Sequence, residues 1–256
     1  MKALLSVILI LVVLNVQAQT DQPRNQISLM AGFGGGQWKD QFYSPLNYDV
    51  SSSLWQFGWE RSTRRGHIFV LETQSIAAKL TPDAGEQFES EMIGFELQTA
   101  WLWKLKEITH WQFHLGPEYS TGSQVTTWED GNNLSSAYTY LSTHGLSITG
   151  RASYQLDRWN LSGQVSLPVL MYASRPPYTG ITDATESSDL LFRMKNGDWH
   201  SLDSYVVPEV RVQAEYELRR WIGLAAQYHF AYQDVDSGQP MSSSIHNVQV
   251  GVNIKF

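Results

Sequence analysis

Residues 244–256 alternate without a break: Val248, Val250, Val252, Ile254 and Phe256 fall on one face, and Asn247, Gln249, Gly251, Asn253 and Lys255 on the other. A period of two sends successive side chains to opposite sides of an extended backbone, so this is a strand wet on one side only. Such a strand needs a cover for its apolar row, and that need constrains what the rest of the chain can become.

The same period recurs at residues 27–35, 53–60, 67–77, 89–104, 108–119, 138–156, 159–172, 206–218 and 221–233. The apolar rows hold Trp55 and Phe57, Phe69 and Leu71, Ile93 to Trp103, Tyr140 to Tyr154, Leu161 to Met171, and Leu224 to Tyr232. Together with residues 244–256 this predicts ten strands. Their connections fall into two alternating classes. Those near residues 61–65, 104–107, 157–158 and 219–220 are short and mostly basic, whereas residues 37–51, 78–87, 121–136, 173–203 and 234–243 are long and polar. Trp59, Trp103, Trp111, Trp159, Trp221 and Phe256 gather at the short-turn rim, where an interfacial aromatic girdle belongs. A soluble sandwich would also alternate but has no reason to sort its loops by rim. The fold class expected is all-β: a closed antiparallel transmembrane β-barrel with short periplasmic turns and long extracellular loops.

At the other end, Lys2 precedes an apolar run through Val16 and small residues up to Ala18, the layout of a secretory signal peptide too short to span a bilayer. Residues 1–18 are therefore set apart, leaving one barrel domain over 19–256. The formal charge of −7 becomes −8 when Lys2 leaves, which argues against a nucleic-acid partner. There is no cysteine, hence no disulfide, lipid-bearing thiol or thiolate metal site. A mean hydropathy of −0.28 resembles a soluble protein, but an alternating barrel averages its two faces and hides its membrane character.

With these rows in place, the chain resembles the outer-membrane β-barrel proteins of Gram-negative bacteria over essentially the whole of 19–256. In that family the barrel-assembly machinery reads a terminal alternating strand ending in Phe, matched here by Val252, Ile254 and Phe256. The resemblance implies an outer-membrane location, lipid contact around the wall and that machinery as a biogenesis partner. It implies nothing about activity.

The inward rows place Glu60, Glu72, Glu96, Glu118, Glu209, Glu215 and Glu217 against Arg151, Arg211, Arg219 and Lys255, with His110, His114 and His229 among them. The polar cluster expected at the centre is Glu96, Glu118, Arg151, Glu209, Arg211 and Glu215. Buried charges must be paired or hydrated, and ten strands leave little lumen, so the bland reading is a polar plug. The functional reading is a narrow, cation-favouring path. His110 and His114 share a face but lie about 13 Å apart at about 3.3 Å per residue, so no metal site is expected.

In the fourth long loop, Asp198-Trp199-His200 is an Asp-x-His pair, in which a carboxylate can orient an imidazole that activates water. Omptins, ten-stranded outer-membrane proteases, are similar in strand count and carry such a pair in this loop, which Asp198 and His200 match. They also carry Asp-x-Asp in the second loop, where this chain has Asp83 followed by Gly85, so half of that site is missing. The Gly32–Gly36 run opens no helix and implies no phosphate loop. Arg175 and Tyr178, on a stretch stiffened by Pro176-Pro177, are contact candidates for a protein partner. The function expected is a small channel or surface-interaction scaffold without cofactor, the alternative being an omptin-like protease.

Overall fold

A computed structural model describes residues 24–41, 44, 46–83, 90–129, 136–175, 197–201, 204–235 and 240–256. The putting-aside of residues 1–18 and the contact candidate Tyr178 lie outside the described residues.

The strands are β1 (Asn25–Asp40), β2 (Asn47–Ser62), β3 (Ile68–Pro82), β4 (Ser90–Ile108), β5 (Trp111–Glu129), β6 (Ser136–Leu156), β7 (Trp159–Ser174), β8 (Gly197–Ser201), β9 (Tyr205–Val206), β10 (Glu209–Arg219), β11 (Ile222–Val235) and β12 (Met241–Lys255). Neighbours pair antiparallel all the way round, and β1 against β12 closes the circle. β8, β9 and β10 share one position between β7 and β11, so the wall has ten staves. Between Ser201, opposite Leu170, and Glu209, opposite Ser166, the chain advances eight residues while β7 advances four. Pro208 sits in that slack, where its missing N–H costs no ladder bond.

The apolar rows face outward as the alternation predicts. Trp55, Phe57, Ile93, Phe95, Leu167, Leu224, Val248 and Val250 are all exposed on the wall. The strands, however, run 14 to 21 residues in β1 to β7, β11 and β12, well beyond the 9 to 11 or so that cross a bilayer. Much of what reads as long polar loop is strand, and the outer connections shrink to residues 41–46, 83–89, 130–135 and 236–240, with only 175–196 remaining long.

These outer extensions keep the alternation and exchange its faces. Above the lipid band the inward row turns apolar, with Trp38, Tyr48, Val50, Leu80, Met92, Trp128, Leu141, Met171, Val235 and Met241 forming one buried cluster. The outward row turns polar, with Asp49, Ser51, Ser53, Lys79 and Glu91 exposed. A wall bathed in water must put its apolar row inside, whereas a wall bathed in lipid must put it outside. Trp128 is 1% exposed, donates from Nε1 to Thr139 Oγ1 at 2.8 Å and meets Tyr48 edge-on at 5.2 Å.

Several local expectations are corrected. Met171 points into the cluster, not to lipid, because the pairing of β6 with β7 slips by one residue at Val169, between Leu146–Leu170 and Ser147–Pro168. A one-residue bulge exchanges every side chain beyond it. Tyr140 is also buried rather than exposed. The second short turn lies at Thr109–His110, just past the basic stretch 104–107, with Thr109 at a φ of 55°. A β-branched residue in that region is strained. Arg219 is exposed past a register shift at the end of β10, so it leaves the lumen.

If the outer half is a water-borne barrel with its own apolar core, Trp128→Ala should lower the unfolding free energy by about 3–5 kcal/mol in detergent. Trp55→Ala, on the lipid face, should cost far less; equal losses in denaturant titrations would contradict the exchange of faces.

Candidate functional site

Because side chains of facing staves meet inside a ten-stranded wall, the lumen is spanned by side chains rather than left open. Arg211 on β10 reaches Glu72 on β3, the stave diametrically opposite, with Nη1 2.6 Å from Oε1. Its Nη2 donates to Gln98 Oε1 at 2.5 Å and to Glu209 Oε2 at 3.0 Å. Gln98 Nε2 in turn donates to Glu96 Oε1 at 2.9 Å and approaches Glu209 Oε2 at 3.4 Å. This one guanidinium and one amide tie three staves into a septum across the barrel.

The septum divides the lumen. On its outer side lies a cavity of about 170 Å³, whose lining includes the polar Glu96, Glu209, His229 and Asn247 and the apolar Trp38, Ile76, Met92 and Leu141. On its inner side lies one of about 70 Å³, lined by Gln56, Glu60, Glu72, Glu118, Arg151 and Arg211. The inner space is crossed again, by Arg151 to Glu60 at 2.6 Å and by Gln227 to Gln56 at 3.3 Å. Towards the periplasmic rim, Ile68, Ala100 and Leu102 form a second apolar cluster, and His114 Nε2 lies 3.1 Å from the carbonyl of Gly66 in the β2–β3 turn.

The six expected cluster residues all face the lumen, but they do not form one site. Glu96, Glu209 and Arg211 share the septum. Glu118 sits on the inner cavity and accepts from Thr149 Oγ1 at 3.0 Å, Ser166 Oγ at 3.2 Å and Gln164 Nε2 at 3.4 Å. Arg151 belongs to the Glu60 pair. Glu215 belongs to a separate pair with Lys255 at 2.5 Å, braced by Asn253 Nδ2 at 2.8 Å. With Arg219 outside, three cations remain for the same carboxylates. The histidines separate too: His110 lies exposed in its turn against Tyr154, whereas His114 and His229 are buried on the lumen side.

Two inward residues outside the expected central cluster complete the septum. Gln98 and Glu72 look like any other inward polar residue, and only the barrel's circumference reveals that Glu72 stands opposite Arg211. Their separation of 139 positions hides the contact from any local pattern.

At the outer mouth, Asp198 and His200 lie on β8 opposite Ala173 and Met171, so both take the inward side, while Trp199 packs on Tyr172 at 5.3 Å outside. Asp198 is exposed; His200 is 9% exposed, with Nδ1 3.3 Å from Ser204 Oγ. Asp83, at the end of β3, occupies the opposite stave. Arg175, expected as a displayed contact, is instead turned inward: Nη2 lies 2.6 Å from both carboxylate oxygens of Asp40, at the end of β1. Val252 and Ile254 hold the outward face of β12, and the backbone of Phe256 exchanges two bonds with Asn25 at 2.9 Å.

Removing Arg211 leaves Glu72 and Glu209 buried without their cation. Arg211→Met should therefore destabilise the barrel by about 3–5 kcal/mol. Adding Glu72→Gln and Glu209→Gln to the same chain should recover most of that loss, read by chemical unfolding in detergent. Failure of the triple variant to recover would show that the septum is held by something other than this ion network.

No protein-family model matches the sequence, and no curated protein is similar to it. Among solved structures the chain resembles the outer membrane protease OmpT from Escherichia coli, with a TM-score of 0.64 at 10% identity over 94% of this chain and 99% of that one. Fainter likenesses are the translocator domain of autotransporter NalP from Neisseria meningitidis (TM-score 0.49, 10% identity, 100% and 96% of the two chains) and the Pseudomonas putida toluene transporter TodX (0.32, 9%, 91% and 90%). Identities this low speak for the fold alone. Closed wall, apolar outer band and structural likeness agree that the chain is a ten-stranded antiparallel β-barrel with the fold of that outer membrane protease.

Proposed function

We propose that the protein is a sealed barrel that carries its water-borne extension and fourth loop at the cell surface as an interaction scaffold, rather than a conducting pore. The observation behind this reading is the septum: Arg211 joined to Glu72 on the opposite stave, with Gln98, Glu96 and Glu209 filling the same layer. An ion crossing it must part a buried ion pair and shed its own water, both of which are costly. The outer apolar cluster and the Arg175–Asp40 pair add further closures above. The partner such a scaffold serves is a protein met through the outer rim.

Purified protein in planar bilayers should give no stable conductance steps in molar KCl, and Arg211→Ala should introduce brief, cation-favouring openings. Regular ohmic steps from the unaltered protein would overturn the sealed reading.

A second reading, proteolysis at the outer mouth, is favoured by one observation: Asp198 and His200 share the inward side of β8, on the stave opposite the Asp83 end of β3. If it holds, the intact protein in detergent cleaves a basic peptide and His200→Ala abolishes the cleavage. No cleavage by the intact protein ends this reading.

A further inference from the structure

The septum carries three carboxylates, Glu72, Glu96 and Glu209, around a single guanidinium, and a fourth, Glu118, lies on the inner cavity beside it. Arg211 serves Glu72 and Glu209. Glu118 is held by three neutral donors, Thr149, Ser166 and Gln164. Glu96 receives only the amide of Gln98, at 2.9 Å, and Gln98 divides that amide with Glu209. Glu96 thus lines the 170 Å³ cavity with no direct ion pair of its own among the described residues.

His229 gives an independent indication on the same cavity wall. It is 4% exposed, its Nε2 lies 3.4 Å from Glu209 Oε2, and its Nδ1 has no hydrogen-bond partner among the described residues. In the neutral tautomer that turns Nε2–H towards the carboxylate, Nδ1 is an acceptor without a donor, and a buried acceptor left so is costly. A carboxylate and an imidazole nitrogen, both asking for a donor, is the complement of an ammonium group.

The remaining wall decides what the ammonium is attached to. Trp38, Ile76, Met92 and Leu141 share the lining with the polar groups, so a bare or fully hydrated ion would leave apolar surface facing it. Among the described residues no three His, Cys, Asp or Glu groups converge as a metal site. The volume of about 170 Å³ slightly exceeds the roughly 150 Å³ of an apolar cavity that holds benzene.

We infer that the outer chamber of the lumen is a binding site for a small organic ammonium ion, its charged end on Glu96 and His229 and its short apolar body under Trp38 and Met92. The inference stands apart from the sealed-scaffold reading, because the chamber lies on the outer side of the septum and can fill without conduction.

Benzylammonium and its neutral counterpart benzyl alcohol, titrated calorimetrically into the full barrel in detergent against empty micelles, test it. Benzylammonium should bind saturably at one site per chain, about tenfold or more tighter than benzyl alcohol, the discrimination a charge-assisted hydrogen bond provides. Glu96→Gln should remove that preference and leave the alcohol unchanged, in protein whose heat-shifted gel migration confirms a folded barrel. Absence of saturable binding, equal affinity for the two compounds, or a preference that survives Glu96→Gln would each overturn the proposal. The comparison on unaltered protein decides it even if the variant fails to assemble.

Discussion

A barrel exists only if its first and last strands find each other, and the seam between β1 and β12 is where this chain becomes a closed object. Fifteen residues of each strand stand opposite one another there, from Gln26–Lys255 to Asp40–Met241. In lipid an unpaired strand edge would leave a row of backbone donors and acceptors with no water to satisfy them, at several kilocalories per group. Everything else described depends on that closure: it sets the circumference, the circumference puts Arg211 opposite Glu72, and their contact divides the lumen. A wall of more staves would hold the same residues too far apart to meet.

The wall solves two solvation problems with one backbone pattern. Over its lower half lipid is the outer solvent, and the apolar row faces out while carboxylates, amides and three cations fill the inside. Over its upper half water surrounds it, and Trp38, Tyr48, Met92 and Trp128 take the inside instead. No change of strand period marks the border; only the chemistry of alternate positions exchanges. That exchange explains a mean hydropathy of −0.28 in a membrane protein without any appeal to an open, water-filled lumen.

The period of two made the fold legible, since alternation is local and survives at any distance from its partner strand. The rows of β2, β4, β5, β11 and β12 could be assigned residue by residue for that reason. Strand ends were not legible, because an apolar-out criterion stops where the faces exchange, and residues 37–40, 47–51 and 121–129 then look like loop. The Val169 bulge is signalled only by Pro168 beside it, a residue that strands tolerate at bulges, and alternation read straight through that proline sends Met171 to the wrong face. For the candidate site, the inward identity of Glu96, Glu118, Glu209 and Arg211 was readable, whereas their division into septum, inner pair and rim pair was not. That division depends on which staves face each other, information that resides in the closed circle.

The pair of Arg175 with Asp40 has a mechanical consequence. Arg175 is the first residue beyond β7, and Asp40 is the last of β1, itself opposite Met241 in the closing seam. At the far end of the same connection, the backbone N–H of Gly197 is held by Tyr172 Oη at 2.8 Å. Both roots of residues 175–196 are therefore fastened, one of them to the strand that completes the barrel. A tug on that loop from outside the cell is delivered as shear along β1 and β12, the direction in which a ladder of parallel-loaded hydrogen bonds yields all at once and so resists most.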